Sequence, residues 1–213
     1  METVTVPYEF HVTVEAGQTP VDRFRELCQE LGAKAIVLDL GVNSGRKLED
    51  YMTSSRGMLP SDQAAFDEVE RIAVGLAEHG CHVIRKKIET APWHPAAPQD
   101  DATPMPAGSY FEAHLATRVD EQKVSDLRDF VLAHTTETPL HLSRNAFKQA
   151  VDGELVMMAT LRHYEGGYPT FRAAVEQAID VLASGGYELE KTPITEFALY
   201  DTNVHQDDAW MKR

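Results

Sequence analysis

The sequence has little of what usually announces a chemistry. Only two cysteines, Cys28 and Cys81, occur in 213 residues, and neither has the spacing of a metal knuckle or a redox pair. Cys28 falls in a helical pattern beside Leu27 and Leu31, and Cys81 opens a strand after Gly80. Both read as buried thiols in a reducing compartment. Basic residues are scarce, with 20 Lys and Arg against 34 Asp and Glu and a net charge of −14. That balance argues against a general nucleic-acid partner and favours solubility. No apolar run approaches membrane-spanning length, and the start METVTVPYEF has neither the basic residues nor the apolar core of a signal peptide. The expected location is cytoplasmic, with no membrane partner. Gly-rich phosphate loops, nucleophile elbows and dinucleotide fingerprints are missing as well.

What is present is a repetition. Glu9-Phe10-His11 in YEFHVTVE returns as Glu112-Ala113-His114 in YFEAHLATR. Residues two apart on a strand share a face, so Glu9, His11 and Thr13 lie opposite Phe10, Val12 and Val14. In the second copy Glu112 and His114 lie opposite Phe111, Ala113 and Leu115. The match continues downstream of each copy. His11 and His114 are 103 residues apart, while Met52 and Met158, Arg56 and Arg162, Leu76 and Leu182, and Gly80 and Gly186 are all 106 apart, a three-residue insertion.

Each copy reads as strand, helix, strand, strand, helix, strand. In the first, Thr19-Pro20 starts a helix with Thr19 as cap, Val21, Phe24, Leu27, Cys28 and Leu31 form its stripe, and Gly32 stops it. AKAIVLDLG is a strand, Asn43-Ser44-Gly45 turns the chain, and LEDYMTSSR is the next strand. Pro60-Ser61-Asp62 opens a second helix and CHVIRKKIE closes the unit. In the second copy VSDLRDFVLAH is a helix with Val124, Leu127, Val131 and Leu132 inward, PLHLSRNAF a strand, and Asp152-Gly153 a hairpin turn into ELVMMATLR. FRAAVEQAIDVLASGG and YELEKTPITEFALYD complete it.

The fold class expected is α+β, a tandem duplication of ferredoxin-like βαββαβ units. Residues 1–90 and 109–200 are the repeats, 91–108 an extended Pro-rich linker that Trp93 pins to a surface, and 201–213 a tail holding His205, Asp207 and Asp208. A ferredoxin-like sheet has helices on one face and leaves the other open. Two units in one chain resemble the α+β barrel arrangement of paired or fused ferredoxin-like units, and that resemblance implies small-molecule chemistry between the sheets. Fold alone does not fix function.

Strand alternation identifies what the open faces carry. The first unit offers Glu9, His11, Thr13, Ser54, Arg56 and Lys86, the second Glu112, His114, His141, Ser143, Asn145, Thr160 and Arg162. The face of Asp39 is left undecided, because AIVLDL is apolar on both sides. Buried polar groups in such number need one another or a ligand, so the expectation is a polar cavity that binds, and in one reading converts, a small polar or anionic molecule. In that reading His11, His114 and His141 are the acid–base candidates, a neighbouring Glu orients the imidazole, and Arg56, Arg144 and Arg162 hold the anion.

Three alternatives stay open. Glu9, His11, Glu112 and His114 form a donor set suited to a divalent metal, which makes a metal the candidate cofactor of a metal-dependent enzyme. His11-Val12-Thr13 and His141-Leu142-Ser143 resemble the His-x-Thr/Ser pairs of two-histidine phosphoesterases, which implies histidines facing a scissile phosphate. The likeness covers six residues and departs from that family, because His11 is on a first strand and His141 on a second. Finally, an interaction protein would turn the polar faces outward against other chains. Monomer and homodimer are both compatible with the sequence. His163, beside Gly166-Gly167, reads as a turn or a lip over a site, and His79 and His134 as helix C-terminal residues.

Overall fold

The computed structural model describes residues 5–40, 49–135, 139–147 and 153–207. Its elements in chain order are β1 (Val6–Val14), α1 (Val21–Glu30), β2 (Lys34–Asp39), β3 (Glu49–Leu59), α2 (Asp62–Glu78), β4 (Val83–Thr90), β5 (Tyr110–Asp120), α3 (Val124–His134), β6 (Leu140–Asn145), β7 (Glu154–His163), α4 (Tyr168–Ser184) and β8 (Ile194–Asp201). The expected turn at Asn43 to Gly45, residue Asp152 of the hairpin turn, and Asp208 lie outside the described residues.

Alternation decides which face of each strand is buried against helices. Phe10, Val12 and Val14 pack with Phe24, Leu27, Val69, Ile72 and Leu76 of α1 and α2. Phe111, Ala113 and Leu115 pack with Leu127, Val131, Phe171, Val175 and Leu182 of α3 and α4. Each fully buried side chain of this size contributes about 1.5–3 kcal/mol. That burial holds the opposite face, with its carboxylates and imidazoles, away from the helices.

The fold is α+β, with the two ferredoxin-like sheets joined edge to edge. β4-β1-β3-β2 and β8-β5-β7-β6 meet along β2/β6 and β4/β8 to close an eight-stranded barrel, antiparallel throughout. The β2/β6 seam pairs Leu38 with Asn145 and Asp39 with Arg144. The β4/β8 seam runs from Lys87 opposite Asp201 to Thr90 opposite Phe197, with a register shift between Ile88 and Glu89. Closure turns both polar faces inward, which removes the outward-facing arrangement the interaction reading required.

Local details differ from the sequence expectations in two places, at the start of α1 and along α3. The first helix begins at Val21, and Thr19 donates its hydroxyl to Cys81 Sγ at 3.5 Å instead of capping. Ser61 does cap α2, accepting from Ala64 N at 3.2 Å. Leu132 is 55% exposed, so the inward stripe of α3 runs through Leu127 and Val131.

The Pro-rich segment is a packed strap of turns across the end of the barrel. His94 and Ala97 are buried, whereas Trp93 is 61% exposed. Asp62, at the start of α2, accepts from Tyr8 Oη at 2.6 Å and from His94 Nε2 at 3.1 Å. Ala96 N donates to His94 Nδ1 at 3.2 Å, which leaves the proton on Nε2 for Asp62. At its other end Asp101 accepts from Gly167 N at 2.8 Å, and Pro98 O accepts from Tyr168 N at 2.9 Å. Hydrogen bonds to the starts of α2 and α4 thus hold as a compact element a segment whose prolines predict an extended one. Among the described residues, no helix is long and apolar enough to cross a membrane.

Candidate functional site

The barrel encloses a cavity of about 240 Å³, just under the roughly 300–1,000 Å³ typical of ligand sites. Its wall has two characters. Ile36, Leu38, Met52, Val156, Met158 and Ile194 make an apolar side. The other side is an ion-pair chain drawn from β1, β3, β4, β5, β7 and β8.

The chain begins at the mouth, where Arg56 Nε donates to Glu9 Oε2 at 2.6 Å while Ser54 Oγ donates to Glu9 Oε1 at 2.8 Å. His11 comes next, its Nε2 2.8 Å from Glu89 Oε2 and 3.6 Å from Glu9 Oε1. Lys87 Nζ then bridges Glu89 Oε1 at 2.6 Å and Glu112 Oε1 at 2.9 Å. Glu112 is held on its far side by Arg162 Nε, and His114 Nε2 lies 3.1 Å from Glu112 Oε1 and 3.8 Å from Glu196 Oε2. Below, Arg85 binds Asp201 through Nε (2.9 Å) and Nη2 (2.6 Å), and Tyr110 Oη donates to the same carboxylate at 2.8 Å. Lys87 and Arg162 lie over the Tyr110 ring, 5.4 and 4.8 Å from its centroid, at cation–π range.

Burial opposes every charge here, and the pairing decides which survive. Burial would raise Glu112, but Arg162 and Lys87 hold it well below the usual carboxylate range. Burial would likewise raise Glu89, which Lys87 and the His11 hydrogen bond bring down to about 2 despite repulsion from Glu112. Burial would neutralise Lys87, yet Glu112 and Glu89 keep it charged, well above its ordinary value. Glu196 is the exception. Burial, with repulsion from Glu89, Glu9 and Glu112 that Lys87 only partly offsets, pushes it up to about 9. It stands in the cavity as a neutral carboxylic acid at pH 7, able to donate a proton.

Several sequence candidates converge as expected. Glu9, His11, Thr13, Arg56, Glu112, His114, Ser143, Asn145 and Arg162 all line this one cavity, so His11 and His114 do share a pocket. Four placements differ. His141 is buried on the same strand face as Ser143 but is not part of the cavity wall, so it does not join His11 in a phosphoesterase-like pair. Arg144 turns to the β2/β6 seam, where it pairs with Asp39 at 3.0 Å, and is not available to an anion in the cavity. Lys86 points out to Glu70 of α2 at 2.5 Å, and Arg85 and Lys87 face in. Among the described residues the group of three carboxylate and imidazole donors that all lie within 4.8 Å of one another is Glu89, Glu112 and His114, without Glu9 and His11. The Lys87 ammonium already bridges the two carboxylates of that set. His163 has a buried Nε2 with no hydrogen bond beside Asp101 and the strap. His79 and His134 sit at helix ends, each with Nδ1 2.8 Å from the carbonyl four residues before it.

Sequence reasoning missed Glu89 and Glu196, the acids that decide the electrostatics. The repeat held the signal. Lys87 and Glu89 correspond to Ile194 and Glu196, both 107 residues on, and Glu9 faces Glu89 across the ladder as Glu112 faces Glu196.

No protein-family model matches the sequence, and a search of curated proteins finds no match. Solved structures of similar fold include a putative monooxygenase from Lactobacillus acidophilus, 7% identical, with 91% of this chain and 93% of that chain covered and a TM-score of 0.28. A heme-binding protein from Thermus thermophilus is 10% identical, with 92% of each chain covered and a TM-score of 0.30. DyPB from Rhodococcus jostii is 10% identical, with 90% and 92% covered and a TM-score of 0.31. Likeness at this level says nothing about what the present cavity holds.

Proposed function

We propose that the barrel cavity binds a small organic molecule with one polar end and an apolar body, and that Glu196 and His114 exchange a proton with the polar end. The observation that carries this reading is the cavity wall itself: an apolar side of six aliphatic and thioether residues faces a polar side that includes a protonated carboxyl group. A water-filled structural void would not need both. The anion expected from the sequence is disfavoured, because Arg56, Arg162, Lys87 and Arg85 are each already engaged by a carboxylate. His11 is also committed, with Nδ1 on the Thr53 carbonyl at 2.9 Å and Nε2 on Glu89. Proton transfer therefore falls to the second repeat, where His114 and Glu196 are more loosely held.

Two-dimensional NMR of protein labelled at the methionine methyls tests this. Hexanol, hexylamine and hexanoate are added in turn, and at least one is expected to shift Met52 and Met158, which line the apolar side. Narrowing the cavity by Met158→Phe is expected to weaken the same ligand. Methyl signals that stay fixed across all three compounds would refute the reading.

A further inference from the structure

The inner walls of the two repeats correspond residue by residue. Glu9 faces Arg56 as Glu112 faces Arg162, and Glu9 faces Glu89 as Glu112 faces Glu196. His11 faces Lys87 as His114 faces Ile194. In that last correspondence the charge is lost. Lys87 bridges Glu89 and Glu112, one carboxylate from each repeat. The reciprocal pair is Glu196 and Glu9, and the position that would bridge it holds an isoleucine.

The consequences of the missing cation are visible around it. His11 closes to 2.8 Å on Glu89, but His114 stands 3.8 Å from Glu196 and nearer, at 3.1 Å, to Glu112. Burial, with repulsion from Glu89 and Glu9 that no cation at position 194 offsets, keeps Glu196 protonated. On the same cavity wall the Thr13 hydroxyl, on a residue only 1% exposed, has no hydrogen-bond partner. A hydroxyl both donates and accepts, and one left unpaired in a buried wall, four residues along β1 from Glu9, points to a polar ligand group farther along the same cavity.

We propose that the ligand is a primary amine, whose ammonium takes the position between Glu196 and Glu9 that Lys87 Nζ takes between Glu89 and Glu112. The inference rests on the cavity-binding reading above and names its ligand class. An ammonium on a carbon chain suits the site better than a bare metal ion, because Ile194, Val156 and Met158 line the same cavity and can bury an aliphatic body. The groups sharing the cavity with Glu196 are Glu9 and His11 of β1, Arg56 of β3, Lys87 and Glu89 of β4, and Glu112 and His114 of β5, with Arg162 of β7 beyond. Lys87, Arg162 and Arg56 are matched by Glu89, Glu112 and Glu9, and the His11 imidazolium is held by Glu89 at 2.8 Å. Adding one cation therefore makes ionisation of Glu196 favourable: the carboxylic acid and the ammonium give a carboxylate–ammonium pair, and one proton leaves to solvent. No other bond changes.

Calorimetric titration of the full chain with hexylamine between pH 6 and 8, in buffers of different ionisation enthalpy, reads that proton directly. About one proton is expected to be released per amine bound. Glu196→Gln is expected to abolish the release and weaken hexylamine about 30-fold or more, the loss typical of one partner of a buried charge pair. Ile194→Lys, which supplies the missing ammonium from the chain, is expected to exclude the amine while the Glu196→Gln variant confirms that the barrel folds. Hexanol or hexanoate binding the wild type as tightly as hexylamine, without proton release, would overturn the amine and leave the cavity reading standing. Zinc displacing hexylamine and releasing the proton in its place at lower concentration would likewise overturn the amine in favour of a metal. Failure of all three organic compounds to bind would overturn both readings.

Discussion

His11 Nε2 and Glu89 Oε2 stand 2.8 Å apart while His11 Nδ1 faces the Thr53 carbonyl oxygen at 2.9 Å. Both ring nitrogens face acceptors, so both carry protons and the ring is an imidazolium. Burial alone would lower its pKa, but the hydrogen bond and charge of Glu89, with Glu9 beside it, raise it above the usual imidazole value. A folded-state pKa raised in this way contributes stability that is present in full below the unfolded value near 6.5 and is lost as pH climbs through the folded value. His11→Gln is therefore expected to cost roughly 1–3 kcal/mol at pH 6, and the gap to wild type in urea unfolding is expected to close as pH rises through the raised folded-state value.

Glu196 has the opposite effect at neutral pH. Burial, then the carboxylates of Glu89 and Glu9, hold it at about 9 against an ordinary 4.5. Its contribution is complete below pH 4.5 and declines as pH rises toward 9, since the unfolded chain ionises first. Glu196→Gln is expected to stabilise the empty protein by roughly 1–3 kcal/mol at pH 7 and by nothing measurable at pH 4. Denaturant midpoints at the two pH values check it, and equal shifts at both would place Glu196 in a different environment.

Lys86 and Lys87 are neighbours with unequal roles. Lys87→Met strands the buried carboxylates of Glu89 and Glu112 and is expected to cost about 3–5 kcal/mol. Lys86→Met loses a half-exposed pair with Glu70 on α2 and is expected to cost about 0–1 kcal/mol. The ratio of the two losses in chemical unfolding tests which lysine faces the cavity.

Gly167 sits where a Cβ would run into the backbone carbonyl of Asp100. Gly167→Ala must push the strap off the start of α4 and is expected to cost about 1–3 kcal/mol. Limited proteolysis is expected to cut the variant within residues 91–109 while leaving the barrel strands protected, and an unchanged cleavage pattern would count against the strap being clamped there.

The repeat and the barrel class were legible because β1 and β5 alternate strictly: Phe10-Val12-Val14 and Phe111-Ala113-Leu115 settle which face is buried. Most of the cavity-lining candidates, including Glu9, His11, Glu112 and His114, lie on strands with that kind of alternation. The β4 run VIRKKIE offered no such phase, with Arg85, Lys86 and Lys87 in succession, and Ile88, fully buried against the helices, is what puts Lys87 and Glu89 inside. Glu196 was hidden in TEFALY, where Phe197 and Ala198 are both buried and a register shift on β4 interrupts the ladder. The strap is not legible for another reason: its order comes from pairs far apart in sequence, His94 with Asp62 and Asp101 with Gly167.

Because both barrel seams close within one polypeptide, positions 87 and 194 are free to diverge. In a twofold homodimer of single repeats every substitution appears twice, so a lysine would arrive with a second lysine and an isoleucine with a second isoleucine. The first choice fills both cation positions and the second leaves both pairs of carboxylates without one. Covalent fusion lets one half of the barrel carry a buried cation at position 87 that the other half, with Ile194, lacks, an asymmetry closed to identical subunits.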